Sequence, residues 1–261
     1  AHAAGNILAG GVSGSIPAVV ETMNPRAAEL GMDSTHFVNP HGLHRDDHYT
    51  TAYDIYLMTK EALEHPLFQK IVATSAYTVP KTNMSDKRAL YNTNSLISNW
   101  RYLGYIYPYC TGVKTGHTDE AGYCLVSSAQ KDGRTLIAVV LGAEAVYRFD
   151  DSVDRRQFSE SKRLLEWGFS NFEARVLLSP NTLYQEVPVS IGKGVSHVIA
   201  RPADTIKRMI PAPYDSELLE VTVNLEHETV TAPVEKDQVL GNITLIYDGT
   251  PYGTVDLVAD T

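Results

Sequence analysis

Apolar positions recur along this chain with two different spacings, and the change from one to the other divides it. The first part reads as helices joined by polar loops. Ile7, Leu8 and Val12 predict the end of a helix stopped by Gly10-Gly11. Ser15 is placed to cap a second helix, with Val19, Val20, Met23 and Ala27 on one face and an end at Leu30-Gly31-Met32. Thr51 with Asp54 three residues on begins a third, carried by Ile55, Leu57, Met58, Ala62 and Leu63 and stopped before Pro66. A short helix around Leu67–Thr74 and a strand at Tyr77-Thr78-Val79 follow.

The middle of the chain turns to strands. Residues 110–125 read as strand, turn, strand, with the turn over 118–121. Leu125–Gln130 and Thr135–Gly142 flank the turn Lys131-Asp132-Gly133-Arg134. Leu136, Ile137, Val139, Val140 and Leu141 form a near-continuous apolar run, which predicts a strand buried on both faces. Arg155–Phe172 predicts an amphipathic helix burying Phe158, Leu164, Leu165, Trp167, Phe169 and Phe172. From about Val176 the period becomes two. Val187–Ile191 and Leu219–Leu225 alternate, and Asp248-Gly249 joins Ile243–Tyr247 to Thr254–Val258 as a hairpin. The expectation is a mixed α/β (α+β) domain over residues 1–175 and a small all-β domain over 176–261.

Composition narrows the partners. The 261 residues carry 31 acidic and 22 basic side chains, a net charge of −9, and no basic stripe, so nucleic acid is not expected. No apolar run is long enough to span a bilayer. Two cysteines do not make a disulfide scaffold. Cys110 and Cys124 lie too far apart on the predicted hairpin to bond each other, because Cys124 falls opposite about Thr115.

The chemistry concentrates in Cys110-Thr-Gly-Val-Lys-Thr-Gly-His-Thr-Asp-Glu-Ala-Gly-Tyr-Cys-Leu125. Lys114 offers a positive charge and Thr115 a hydroxyl, a pair suited to a carboxylate. Gly116 lets a ligand backbone approach, and a strand can pair with an extended peptide. Lys-Thr-Gly is also one of the short signatures of penicillin-binding proteins and class A β-lactamases. In this context the segment closely resembles the Lys-Thr-Gly-His-Thr-Asp-x-Ala-Gly-Tyr stretch of the serine-type D-alanyl-D-alanine carboxypeptidases, the low-molecular-mass penicillin-binding proteins of peptidase family S11.

The resemblance extends further. Thr35-His36-Phe37 and Pro40-His41-Gly42-Leu43, Asn92-Thr-Asn94-Ser-Leu96, and Leu165-Glu-Trp-Gly-Phe169 each match a family segment. Aligning Gly14-Ser15 and Met23-Asn24 places His2 in the Asn slot of the family's Ser-x-Asn motif; it is either a donor there or an exposed terminal histidine. The resemblance implies a partial penicillin-binding-protein/β-lactamase-like transpeptidase domain followed by a β-sandwich. It implies substrate binding by Lys114, Thr115, Gly116 and His117, with the His117 N–H as half of an oxyanion hole. The implied partner is a peptidoglycan pentapeptide or a β-lactam, in an extracytoplasmic location, with no cofactor. Membrane association is expected only through a C-terminal segment outside this sequence.

Two features set limits. Ser159-Glu-Ser-Lys162 is a literal Ser-x-x-Lys, but it follows Lys-Thr-Gly in the closing helix, so it is rejected as the nucleophile motif. Ser179-Pro-Asn181 is rejected likewise as the Ser-x-Asn motif. The nucleophile segment is therefore expected to be absent from this chain, leaving it inactive alone. The alternatives are a non-catalytic wall-peptide-binding protein, then a β-lactamase. Last comes a metal hydrolase built on His41, His44 and His48, which the loop spacing does not favour.

Overall fold

The computed structural model describes residues 2–150, 152–182 and 184–260. The chain divides into two compact units, Ala1–Phe169 and Ser170–Thr261. The first opens with α1 (His2–Ser13) and α2 (Ile16–Glu29). The helix α1 passes through Gly10-Gly11 instead of stopping there. A helix tolerates glycine at a cost of about 1 kcal/mol each, and the break falls at Gly14, whose φ of 78° ends the turn. Ser15 caps α2 as expected, accepting the Ala18 N–H at 3.2 Å.

Thr51 caps α3 (Ala52–Ala62) by accepting the Asp54 N–H. The Asp54 carboxylate does not return to the cap. It is buried and accepts from Ser34 N and Thr35 Oγ1, tying the preceding loop to the helix. After α4 (Pro66–Ala73) come β1 (Ala76–Val79) and β2 (Arg88–Tyr91), a small exposed hairpin. Its second strand is not legible in the sequence, being four residues long and exposed throughout.

The sheet that carries the candidate chemistry has three antiparallel strands in the order β3 (Cys110–Thr118), β4 (Gly122–Lys131), β5 (Arg134–Ala143). Two short strands, β6 (Ala145–Tyr147) and β7 (Val153–Arg155), lead into α5 (Arg156–Asn171). Leu125 and Ala129 of β4, Ala138 of β5 and Phe158, Leu165 and Phe169 of α5 make one buried core. Two expectations change here. The apolar strand β5 is not buried on both faces: only Ala138 is fully buried, because β5 is an edge strand of this sheet. Leu164 and Trp167 face outward, since a 3.6-residue period aligns 158, 165 and 169 but not 164 or 167. Phe172 belongs to the next strand.

The start of β3 is tightly specified. Gly112 has φ 150°, and a Cβ there would stand 2.8 Å from Val72 Cγ2 of α4. Asn94, fully buried, donates to the Gly112 carbonyl at 3.0 Å and accepts from Leu96 N at 3.0 Å. Asn92 in turn donates to the Val72 and Thr74 carbonyls. The stretch Asn92–Leu96 is thus a buried bracket, beyond the polar turn that its composition alone describes.

The second unit is a small all-β sandwich. A six-stranded sheet runs β12 (Leu219–Leu225), β14 (Val239–Tyr247), β15 (Thr250–Asp260), β10 (His197–Pro202), β9 (Gln185–Ser190), β13 (Val230–Thr231). A two-stranded sheet pairs β8 (Phe172–Leu178) with β11 (Ile206–Pro211). The composition change near Val176 lies within β8. Val187, Ile206, Ile243, Leu245 and Leu257 anchor its core. Asp248 and Gly249 both have positive φ, as the predicted two-residue hairpin turn requires, and its strands extend further than the alternation shows.

Two outcomes follow from this packing. Gly112→Ala should lower stability by about 1–3 kcal/mol, because the new methyl overpacks against Val72 in a backbone conformation that disfavours it; an unchanged urea midpoint would contradict the bracket. Both cysteines are free, and Cys124 pairs with Gly116, one residue from the expected register, while Cys110 pairs with Ala129. Titration of the unfolded, unreduced chain should therefore count two thiols per monomer.

Candidate functional site

The edge strand β3 carries Lys114, Thr115, Gly116 and His117 along one wall of a cleft of about 510 Å³. All four sequence-identified positions on this strand line the same space. The side chain of His2, at the first position of α1, lies outside the described residues. Thr93 of the bracket reaches Thr115, hydroxyl to hydroxyl at 2.6 Å, so the loop that holds β3 from below also orients a side chain in the cleft.

Lys114 donates to the Thr115 carbonyl. Surrounding protein desolvates the ammonium and lowers its pKa from the ordinary lysine value. Among the described residues no carboxylate stands within ion-pair distance of it. A Cβ at Gly116 would meet only Cys124 Cβ at 3.9 Å, an ordinary contact. The protein's own packing does not demand glycine at this point, in contrast to Gly112. His117 packs at a tilt against Tyr123, its cross-strand partner, with ring centroids 4.2 Å apart.

The rest of the cleft lining was not legible in the sequence. It includes Arg101 and Tyr102 from the loop after the bracket, and Gln157 and Phe158 from the first turn of α5. Arg155 lies over the Tyr102 ring at 3.7 Å. These residues share no motif and are separated by more than fifty positions, so only the chain's return through α5 brings them together.

The other sequence features separate. Ser159 and Lys162 line a different depression, with Lys162 4.0 Å from Glu166. Ser179 and Asn181 form a turn in the second unit. The histidines of the 35–49 loop do not converge. The His48 Nδ1 accepts from Val38 N, His41 Nδ1 accepts from Leu43 N, and His44 faces Asp46 on one side and Glu120 on the other at 4.0 Å. The last contact sets this loop against the β3–β4 turn. Among the described residues no group of three such side chains could hold a metal ion. Nor is any single described helix long and apolar enough to cross a membrane.

Comparison with known proteins agrees with this arrangement. Residues 2–145 match the family model for D-alanyl-D-alanine carboxypeptidase, and residues 172–261 match that for the penicillin-binding protein 5 C-terminal domain. The chain is 33% identical over 238 residues to D-alanyl-D-alanine carboxypeptidase DacF of Bacillus subtilis, covering 91% of this chain and 57% of that protein. It is 30% identical over 252 residues to DacA of Haemophilus influenzae, covering 96% of this chain and 58% of that one. The solved structure of penicillin-binding protein 5 from Haemophilus influenzae superposes with a TM-score of 0.67 at 29% identity, covering 97% of this chain and 68% of that one. The chain therefore spans somewhat over half the length of the curated relatives it matches. With a family model covering more than half its residues and a motif-bearing edge strand in a cleft, the chain belongs to the D-alanyl-D-alanine carboxypeptidase family, peptidase family S11.

Proposed function

We propose that the protein is a serine-type D-Ala-D-Ala carboxypeptidase acting outside the cytoplasm on peptidoglycan stem peptides. The observation that carries this is the Lys114 cleft: a partly desolvated cation, with no carboxylate within ion-pair distance among the described residues, beside a hydroxyl and a bare glycine on an edge strand. An extended peptide pairs with the edge of β3. Its terminal carboxylate meets the Lys114 ammonium and the Thr115 hydroxyl, which Thr93 orients. Gly116 admits the peptide backbone, and the His117 N–H donates to the oxygen that gains charge as the penultimate carbonyl is attacked. His2 occupies the Asn slot of Ser-x-Asn in this reading. The attacking serine and its lysine base are not among the cleft residues, and Ser159 and Lys162 do not supply them.

In the full-length protein, Lys114→Ala should cost about 2–5 kcal/mol in kcat/KM toward D-Ala-D-Ala peptides, since it strips a bound carboxylate of its charged partner. Thr115→Val should cost about 0.5–1.5 kcal/mol. Wild-type kcat/KM for Lys114→Ala would end the assignment. The sign with pH follows from the lowered lysine pKa. Binding needs the protonated ammonium, so affinity for a carboxylate peptide should fall as pH rises through a value below the ordinary lysine range. Calorimetric titration across the alkaline range measures this.

Gly116→Ala separates fold from function. The added methyl meets nothing closer than 3.9 Å, so the urea midpoint should stay within about 0.5 kcal/mol of the parent while peptide affinity drops. An equal loss of both would make Gly116 a packing residue.

The 261-residue chain alone should not be labelled by a fluorescent penicillin on a denaturing gel. A stable acyl-enzyme requires an activated serine, which the cleft residues do not include. A stoichiometric label that survives denaturation would place a working nucleophile within these residues and overturn this account of the motif.

A further inference from the structure

One cation outside the cleft lining joins two rings within it that come from distant parts of the chain. Tyr102 lies in the loop after the bracket and Tyr123 on β4, and both line the cleft. Arg155, the last residue of β7, is half-buried and is not itself among the lining residues. Its guanidinium carbon stands 3.7 Å from the Tyr102 ring centroid and 5.9 Å from that of Tyr123. Both distances fall within the reach of a cation–π contact. Among the described residues no carboxylate lies within ion-pair distance of Arg155, and the neighbouring Asp154 faces Arg148 instead, at 3.3 Å. The backbone of Arg155 is held separately. Its N–H donates to the Tyr105 hydroxyl at 2.8 Å, and that hydroxyl donates to the Val153 carbonyl at 3.1 Å. Tyr123 in turn packs on His117, ring centroid to ring centroid at 4.2 Å.

We propose that Arg155 is a positioning residue for the reaction proposed above: it fixes the rings of Tyr102 and Tyr123, and through Tyr123 it fixes His117. The inference rests on that reading, in which the His117 N–H serves the developing oxyanion. Lys114 and Thr115 hold the terminal carboxylate on the same strand, so the donor at His117 has to stand at a set distance from the carbonyl under attack. The pair His117–Tyr123 lies near the end of β3, with only Thr118–Gly122 beyond it before the turn. Backbone pairing constrains a strand least at its end, so side-chain packing carries more of the constraint there. Arg155 supplies it from a backbone anchored on Tyr105, whose ring packs on Phe158 with centroids 5.2 Å apart.

The test uses the full-length protein and an acetylated tripeptide ending in D-Ala-D-Ala. Active sites are counted by titration with a fluorescent penicillin, so that kcat refers to folded, competent enzyme. Arg155→Met keeps an apolar stem and removes the charge. It should lower kcat per titrated site about ten- to hundredfold while KM stays within about twofold, because the carboxylate pocket at Lys114 is untouched. Arg155→Lys, which keeps a cation near the rings, should restore kcat to within about threefold of the parent. Tyr123→Leu should show the same split between kcat and KM. Adding Arg155→Met to it should cost less than about twofold more, as expected of residues that act as one unit. Parent-like kcat per titrated site in Arg155→Met would overturn the inference and leave the Lys114 pocket standing. So would losses that multiply in the double variant, or a rise in KM at constant kcat. Absence of titratable sites in Arg155→Met would make Arg155 a folding residue and overturn the inference as well. No release of D-Ala by the parent, or release indifferent to Lys114→Ala, would overturn the underlying reading and this inference with it.

Discussion

One buried amide holds the start of the strand on which the site is built. Asn94 spends its side chain on two backbone groups, the Gly112 carbonyl and the Leu96 N–H, with no exposure to water. In a low-dielectric interior both bonds are worth keeping, because breaking either leaves a buried polar group unpaired. Gly112 presses against Val72 from the other side, and Asn92 anchors the same helix end. The strand β3 leaves this bracket with its direction set, and the four cleft positions follow within five residues. Thr93, between the two asparagines, carries the constraint into the cleft through Thr115.

Electrostatics then distinguish this cleft from the rest of the surface. A chain of net charge −9 would ordinarily repel a carboxylate. The cleft reverses that locally by excluding acidic side chains and partly desolvating a lysine. Desolvation disfavours the charged ammonium while the site is empty, and an arriving carboxylate offsets that penalty.

The two glycines on β3 show how the same residue type answers to different causes. At Gly112 the fold excludes a side chain by both contact and conformation, whereas at Gly116 it does not. The cysteines illustrate a related point. Cys110 is half-buried beside the bracket, and burial pushes its thiol pKa up, which disfavours the reactive thiolate.

Local chemistry was sufficient for the elements whose cause is local. Ser15 and Thr51 cap their helices because a hydroxyl reaches the third N–H along the chain, and Asp248-Gly249 turns because both residues accept positive φ. The Lys-Thr-Gly segment was legible because its residues are consecutive on one strand. Burial depended on neighbours that a linear pattern does not reveal. The apolar strand β5 lies at a sheet edge, Leu164 and Trp167 point away from the core, and the helix through Gly10-Gly11 continues to Ser13. The rest of the cleft lining was likewise decided only by tertiary structure. Arg101 and Gln157 are ordinary surface-type residues in the sequence, and they line the same cleft as Lys114 only because α5 begins beside the loop that follows Asn94. Sequence determined the strand that presents the chemistry, and folding determined what stands across from it, because a cleft is made by chain segments far apart in sequence.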